Sequence, residues 1–209
     1  MIPEDQNLEA AAEQLCSTAR WCSARGWVPA TSGNFSVREG ERVLVTASGL
    51  DKGALTRAGL LEIDAAGGVV AGEGTPSAET ALHLVLYAKR PQAKAILHVH
   101  TIWNTLVSGR FEAAGRVILK GYELEKAFAG VASHESSVQV PVLKNSQDYV
   151  WLAEELEGKL DEYPDAPGVL LSRHGLYTWG DSAGAARRHL EALEFLFEVE
   201  ERRQAGGSF

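Results

Sequence analysis

The sequence predicts one α/β domain built on a central, largely antiparallel or mixed β-sheet flanked by helices. Three observations carry that expectation. Two hairpin patterns stand close together in the first third of the chain, "NFSVREGERVLVTASG" and "LLEIDAAGGVVAGE", each with β-branched residues in its strands and glycine between them. Segments of helical period lie before, between and after the strands. A regular strand-helix-strand repeat and a GxGxxG fingerprint are both missing, which argues against a doubly wound parallel sheet. The chain has 209 residues, 45% of them hydrophobic and 23% charged. That is enough to enclose one sizeable core, so a single domain over 1–209 is expected.

Taken in order, Leu8, Ala12, Leu15, Ala19 and Cys22 keep the spacing of an amphipathic helix that Gly26 is placed to end. The first hairpin turns at Glu39-Gly40. Pro76 and Ser77 open a helix with Leu82, Val85 and Leu86 facing inward, and Arg90-Pro91 stops it. "AKAILHVH" follows as a strand, then a short helical piece ending near Gly109. "YELEKAFAG" has helix-forming composition, and "SSVQVPVL" reads as a strand in which Pro141 marks an edge or bulge. Ser146 is expected to cap a helix carrying Tyr149, Leu152, Leu156 and Leu160, which ends before Pro164. "GVLLSRHGLYTWG" supplies two short strands. Asp181 is expected to cap a last long helix with Ala186, Leu190, Leu193 and Phe197 on one face, and "QAGGSF" to fray.

The formal net charge is -8 and the isoelectric point about 5.3. A general nucleic-acid or anionic-membrane binder would carry a basic footprint, so any phosphate site must be local. No run is long enough to cross a bilayer, and "MIPEDQNLEA" lacks the basic and apolar regions of a secretory signal. Cys16 and Cys22 lie six apart in one helix, ~9 Å along its axis, too far to be bridged. A reduced, cytoplasmic setting is the expectation.

The chemistry concentrates in a few stretches. In a strand, side chains two apart share a face, so His98 and His100 of "HVH" present two imidazoles together. Zinc held by three histidines with an open position is a recurring catalytic arrangement. Packed or surface histidines fit the same spacing, and the two alternatives stay open on these residues alone. His174, after an apolar strand and before Gly175, is the candidate third ligand. His83, His189 and His134 are assigned structural roles. "ATSGNFS" and "TASGLDKGAL" offer backbone N–H groups, hydroxyls and the Lys52 charge, and "GTPSAET" sets Ser77 at a helix start. All three are features of a phosphate cradle. Glu79 and Glu123 are the carboxylates nearest these stretches, and composition alone makes both solvated helix residues.

The set "SGNFS", "TASG", "TPSAET", "HVH" and "RHG", in this order over nearly the whole chain, resembles the class II aldolase family, zinc enzymes that act on phosphorylated sugars. Within it, "KGYELEKA" and "EYPDAPGVLLSRHGLYTWG" are most similar to the methylthioribulose-1-phosphate dehydratases of methionine salvage. The resemblance implies one zinc ion per subunit on His98, His100 and His174, and a phosphate site at Gly33, Asn34, Ser48, Gly49 and Ser77, with Lys52 adding charge. It gives Glu79 the place of the aldolase acid/base and resting-state ligand, and Glu123 the place of the dehydratase acid/base. The family motif commonly carries two serines before that first glutamate, whereas this chain has Ser77 and Ala78. One hydroxyl is therefore missing, and Lys52 is the candidate to compensate.

The resemblance further implies a phosphorylated ketopentose as substrate and a homotetramer with active sites at subunit interfaces, while the acidic charge and the absence of a long apolar run lead us to expect no nucleic-acid or membrane partner. A sugar-phosphate aldolase or epimerase using Glu79 is the alternative on the same scaffold. A non-catalytic head domain like that of adducin is a remoter one, because such heads lack the full histidine set. A cupin-like or other zinc hydrolase leaves the three phosphate-type turns unexplained.

Overall fold

The computed structural model describes residues 4–206, and among them nine strands form one sheet. The strands are β1 (Asn34–Glu39), β2 (Arg42–Thr46), β3 (Leu60–Ile63), β4 (Val69–Ala71), β5 (Ala95–Val99), β6 (Arg116–Lys120), β7 (Ser137–Leu143), β8 (Gly168–Leu171) and β9 (Gly175–Gly180). Their spatial order is β4-β3-β2-β1-β5-β9-β8-β7-β6. Only the β7–β8 pair is parallel. The helices are α1 (Glu4–Ala24), α2 (Thr80–Lys89), α3 (Ile102–Phe111), α4 (Tyr149–Glu162) and α5 (Ala183–Gly206). The fold is thus the mixed sheet between helices that the sequence predicts.

Strand period two decides which layer each residue joins. On β5, Ala95, Leu97 and Val99 enter one core with the Leu8, Leu15, Ala19 and Cys22 face of α1 and the Leu190, Leu193 and Phe197 face of α5. Ile96 enters the other, with Leu82 and Leu86 of α2 and Leu152, Leu156 and Leu160 of α4. Helices α1, α3 and α5 therefore cover one face of the sheet, and α2 and α4 pack together on the other. Cys16 and Cys22 are buried and free, as their spacing requires.

Several local expectations change. Asp148, not Ser146, caps α4 by accepting from the Val150 and Trp151 N–H groups, while Ser146 accepts from the Asp148 N–H. Ser182, not Asp181, starts α5, its Oγ accepting from the Ala185 N–H. That helix continues through Gln204 and Ala205, and 207–209 lie outside the described residues. Helix α2 starts at Thr80, so Ser77 sits just before it and accepts from the Glu79 N–H. Helix α3 runs past Gly109 to Phe111. "YELEKAFAG" forms only a 3-10 turn over Glu123–Ala127, since Gly121 and Gly130 at φ +90° and +80° bend the chain on both sides. β6 is a further strand, at the sheet edge. Pro141 falls where β7 stops pairing with β6 and starts pairing with β8, so its missing N–H breaks no continuous ladder.

Glu194 of α5 ties the C-terminal end of β5 to the core. Its carboxylate accepts from Thr101 Oγ1 at 2.5 Å and from Asn104 Nδ2 at 2.9 Å, the two residues of the α3 capping box. Burial pushes the Glu194 carboxyl up to about 7, with the two hydrogen bonds opposing. A folded pKa above the unfolded 4.5 means that the folded protein holds the proton more tightly. The group's contribution is complete below about pH 4.5 and is lost as pH rises to about 7. In urea denaturation, the stability of the wild type minus that of Glu194→Gln should fall by roughly 2–3 kcal/mol between pH 5 and pH 8. A difference independent of pH would show that Glu194 is already charged in the folded protein at pH 5.

Candidate metal centre and phosphate cradle

Strands β1, β5 and β9 lie side by side, and their register sets Asn34, His98 and Tyr177 in one row across the sheet. Leu97 and Val99 point into the α1–α5 core, so His98 points to the α2 face. The Tyr177 ring stacks on His98, with centroids 3.9 Å apart and planes inclined by 13°. His100 stands just past the end of β5, where its N–H donates to the Trp27 carbonyl. His174 closes the turn between β8 and β9, after Arg173 at φ +53°. The ring nitrogens of His98, His100 and His174 lie within 4.8 Å of one another. Gly175 makes this approach possible: a Cβ there would stand 2.5 Å from the Val99 oxygen, 2.8 Å from the His98 ring and 2.9 Å from that of His100.

The second contacts of these rings aim their Nε2 atoms at a common point. His98 Nδ1 faces the Leu176 carbonyl at 3.1 Å, and His174 Nδ1 faces Asn145 Oδ1 at 3.1 Å. Each acceptor takes a ring proton on Nδ1, so Nε2 is the atom turned to the common point, free to hold a cation or, without one, a proton shared with Glu79. Burial pushes His98 well below the ordinary histidine range, and burial with the His174 charge takes His100 down to about 4. Neutral imidazoles are the form that binds a metal. The Nε2 atoms of His98 and His100 are 2.8 Å apart, a distance at which two lone pairs repel unless a proton or cation lies between them. The donor set fits a zinc-type divalent cation.

Glu79 completes the cluster. Its carboxylate lies 3.1 Å from His174 Nε2 and 3.4 Å from His98 Nε2, and it accepts from Asn34 Nδ2 at 2.7 Å. Burial opposes its charge, but the contacts with His174, His98 and Asn34 more than offset this and hold it well below the usual carboxylate range. Glu79 is therefore an anion against the metal-site histidines, not the solvated helix residue that composition alone suggests.

Beside the histidines opens a cavity of about 220 Å³. Gly33, Asn34, Ser48, Gly49, Lys52 and Ser77 all line it, together with Glu79 and His100. Lys52 is buried, with Nζ donating to the carbonyls of Thr31 and Leu50 at 2.8 and 3.0 Å. An ammonium has three protons, so one remains for an anion in the cavity. Gly33, at φ +71°, allows a close approach, since a Cβ would meet the His98 carbonyl at 2.6 Å.

Sequence reasoning missed three features here. Ala30 and Thr31 adopt φ of +53° and +61°, a conformation that costs about 1–3 kcal/mol per residue and gathers at binding loops. Ser32 Oγ, in the same loop, is a buried hydroxyl without a hydrogen-bond partner among the described residues. Tyr149 brings the first turn of α4 to the cavity wall. The two positive φ values fall on residues other than glycine, so no composition signal marked them.

Glu123 is not brought to this cavity within the chain. It stands on the 3-10 turn after β6 with 72% of its side chain exposed, 2.5 Å from Lys126 Nζ and 3.8 Å from His134 Nδ1.

Comparison with known proteins gives a concordant picture. The model of the family described as Class II Aldolase and Adducin N-terminal domain matches residues 13–200. A protein named methylthioribulose-1-phosphate dehydratase from Pseudomonas aeruginosa (strain LESB58) is 45% identical over 197 residues, 94% of this chain and 96% of the relative. One of the same name from Methylococcus capsulatus is 44% identical over 95% of this chain and 96% of its own length. Among solved structures, the L-fuculose-1-phosphate aldolase from Thermus thermophilus superposes with a TM-score of 0.73 at 25% identity, covering 97% of this chain and 99% of that one.

Proposed function

Because this chain belongs to the family of class II aldolases and adducin N-terminal domains, we propose that it removes water from 5-methylthioribulose 1-phosphate to give 5-methylthio-2,3-diketopentyl 1-phosphate. The convergence of His98, His100 and His174 beside a cavity containing Lys52 supports this most strongly, since it pairs a Lewis-acid site with an anion site. The choice of dehydration over carbon–carbon cleavage rests on the relatives: the dehydratases match at 42–45% identity, the aldolase structure at 25%.

His98, His100 and His174 are the ligands of one Zn²⁺ per subunit, and Glu79 is the anion beside them. The ion supplies polarisation of the C2 ketone, which makes the C3 proton removable. Lys52, Ser48, Ser77 and the backbone at Gly33, Asn34 and Gly49 hold the phosphate and so place C3 and C4. Glu123 takes the C3 proton as base and returns a proton to the C4 hydroxyl, which departs as water. The remaining enol becomes the diketone. Dehydration of this ketopentose phosphate places the protein in methionine salvage, in the cytoplasm, where free buried cysteines are at home.

Glu123 is exposed on its own chain, so it serves the site of a neighbouring subunit in a homotetramer. Apolar side chains uncovered by this chain support such an assembly: Ile102 and Leu106 on α3, two residues beyond His100, and Val150 and Trp151 beside the cavity residue Tyr149.

Carbon NMR of zinc-loaded protein with 5-methylthioribulose 1-phosphate tests the reading. One product that keeps every carbon and shows two adjacent carbonyls is expected. Dihydroxyacetone phosphate with an aldehyde would replace dehydratase by aldolase, and an unchanged spectrum would remove both.

A further inference from the structure

Two periodicities mesh behind the metal centre. Glu79, His83 and Tyr87 recur every four residues along the α2 side, while Asn34 and Ser36 share one face of β1. They interleave into one buried chain of hydrogen bonds. Asn34 Nδ2 lies 2.7 Å from Glu79 Oε2, Asn34 Oδ1 2.5 Å from His83 Nε2, His83 Nδ1 2.7 Å from Ser36 Oγ, and Ser36 Oγ 2.8 Å from the Tyr87 hydroxyl. All five side chains are buried.

The direction of every bond follows from one end. Asn34 Nδ2 faces Glu79 Oε2 and its Oδ1 faces His83 Nε2, so the amide donates to the carboxylate and accepts from the ring. His83 must then donate from Nε2. Complete burial pushes His83 down to about 4, which keeps the ring neutral. A neutral ring with its proton on Nε2 has a bare Nδ1, which accepts from Ser36, and Ser36 in turn accepts from Tyr87.

We infer that His83 is a positioning residue for the metal centre: its Nε2 proton fixes the Asn34 amide so that NH2, not oxygen, meets the Glu79 carboxylate. Without that donor the amide is free to turn over, and a flipped Asn34 would set its oxygen 2.7 Å from a carboxylate oxygen. Two acceptors at that distance repel. Glu79 would lose a charge-assisted hydrogen bond and shift from His98 and His174. The inference rests on Glu79 belonging to the proposed active site, but not on which sugar phosphate is turned over.

His83→Phe keeps the ring volume and removes the donor, while His83→Gln keeps an N–H for Asn34. Nitrogen–proton NMR of the metal-free protein reads the Asn34 side-chain amide, and turnover is measured on the zinc-loaded protein. In the wild type one Asn34 amide proton should resonate far downfield, as a donor to a carboxylate does. In His83→Phe it should move toward the position of a solvated amide, with turnover down roughly 10- to 100-fold, the loss expected of one hydrogen bond to a charged group. His83→Gln should restore both, with turnover within about threefold of wild type. Ser36→Ala, a gentler change, should leave the His83 tautomer mixed and split or broaden the Asn34 signals; it decides the matter if His83→Phe does not fold. Unchanged Asn34 signals in His83→Phe or in Ser36→Ala would overturn the inference, as would a His83→Gln protein as defective as His83→Phe. Expected Asn34 shifts with no turnover in any protein, wild type included, would support the inference and remove the dehydratase reading.

Discussion

Replacing His100 by alanine is expected to empty the metal centre and lower turnover by well over 100-fold. Changing an outer-shell partner of a metal ligand costs about 10- to 100-fold in affinity or activity, so removal of a ligand itself costs more. The fold should survive. His100 is half-buried just past the end of β5, outside both hydrophobic clusters, and alanine there gives up one side-chain hydrogen bond, to His98 Nε2 at 2.8 Å. Unfolding therefore does not account for the loss. Two measurements separate the causes. Elemental analysis should find one zinc per chain in the wild type and almost none in the variant. Thermal unfolding should respond to added zinc only in the wild type, where a metal at 100 times its dissociation constant stabilises the folded state by about 2.7 kcal/mol. One zinc per chain retained in His100→Ala would remove His100 from the ligand set.

How much of this centre a sequence discloses depends on how far apart its members lie along the chain. His98 and His100 are two residues apart, and strand period two alone sets them on one side. The buried faces of α1 and α5 were equally legible, since Leu8 to Cys22 and Ala186 to Phe197 follow one helical period and all are buried. His174 is different. It meets His98 across 76 positions, through pairing of β5 with β9 that no local pattern encodes; its place between an apolar strand and Gly175 made it a candidate, and only the resemblance joined it to the other two as a ligand. His83 was less legible still. An apolar helix with one histidine reads as core, and its partners Asn34 and Ser36 lie 49 and 47 positions away. The misplaced caps have a local cause: Ser146 and Asp148, or Asp181 and Ser182, are all competent caps, and propensity does not rank close neighbours. "YELEKA" shows the limit of composition, because good helix formers between two glycines at positive φ close only a 3-10 turn.

Glu123→Gln is expected to abolish water loss while zinc content and substrate binding stay intact, because the amide cannot take the C3 proton and no residue of the metal centre is touched. The side chain is exposed on its own chain, where Lys126 holds its carboxyl below the ordinary glutamate value. An ordinary surface glutamate of this kind can be replaced by glutamine at almost no cost in stability. A large kinetic loss with unchanged unfolding would thus set Glu123 apart from the solvated carboxylates around it. Hybrids then test which subunit it serves. Glu123→Gln subunits retain three histidines but no base, and His100→Ala subunits retain the base but no metal. If the base comes from a neighbour, random mixing at equal ratio in a closed oligomer gives about a quarter of the sites both intact parts, so two inactive proteins regain about a quarter of wild-type activity. If Glu123 served its own chain, no subunit in the mixture would hold both parts, and the hybrids would stay inactive. A Glu123→Gln homomer with near wild-type turnover would exclude the residue from the reaction and return the acid/base role to Glu79, the only carboxylate among the residues lining the cavity.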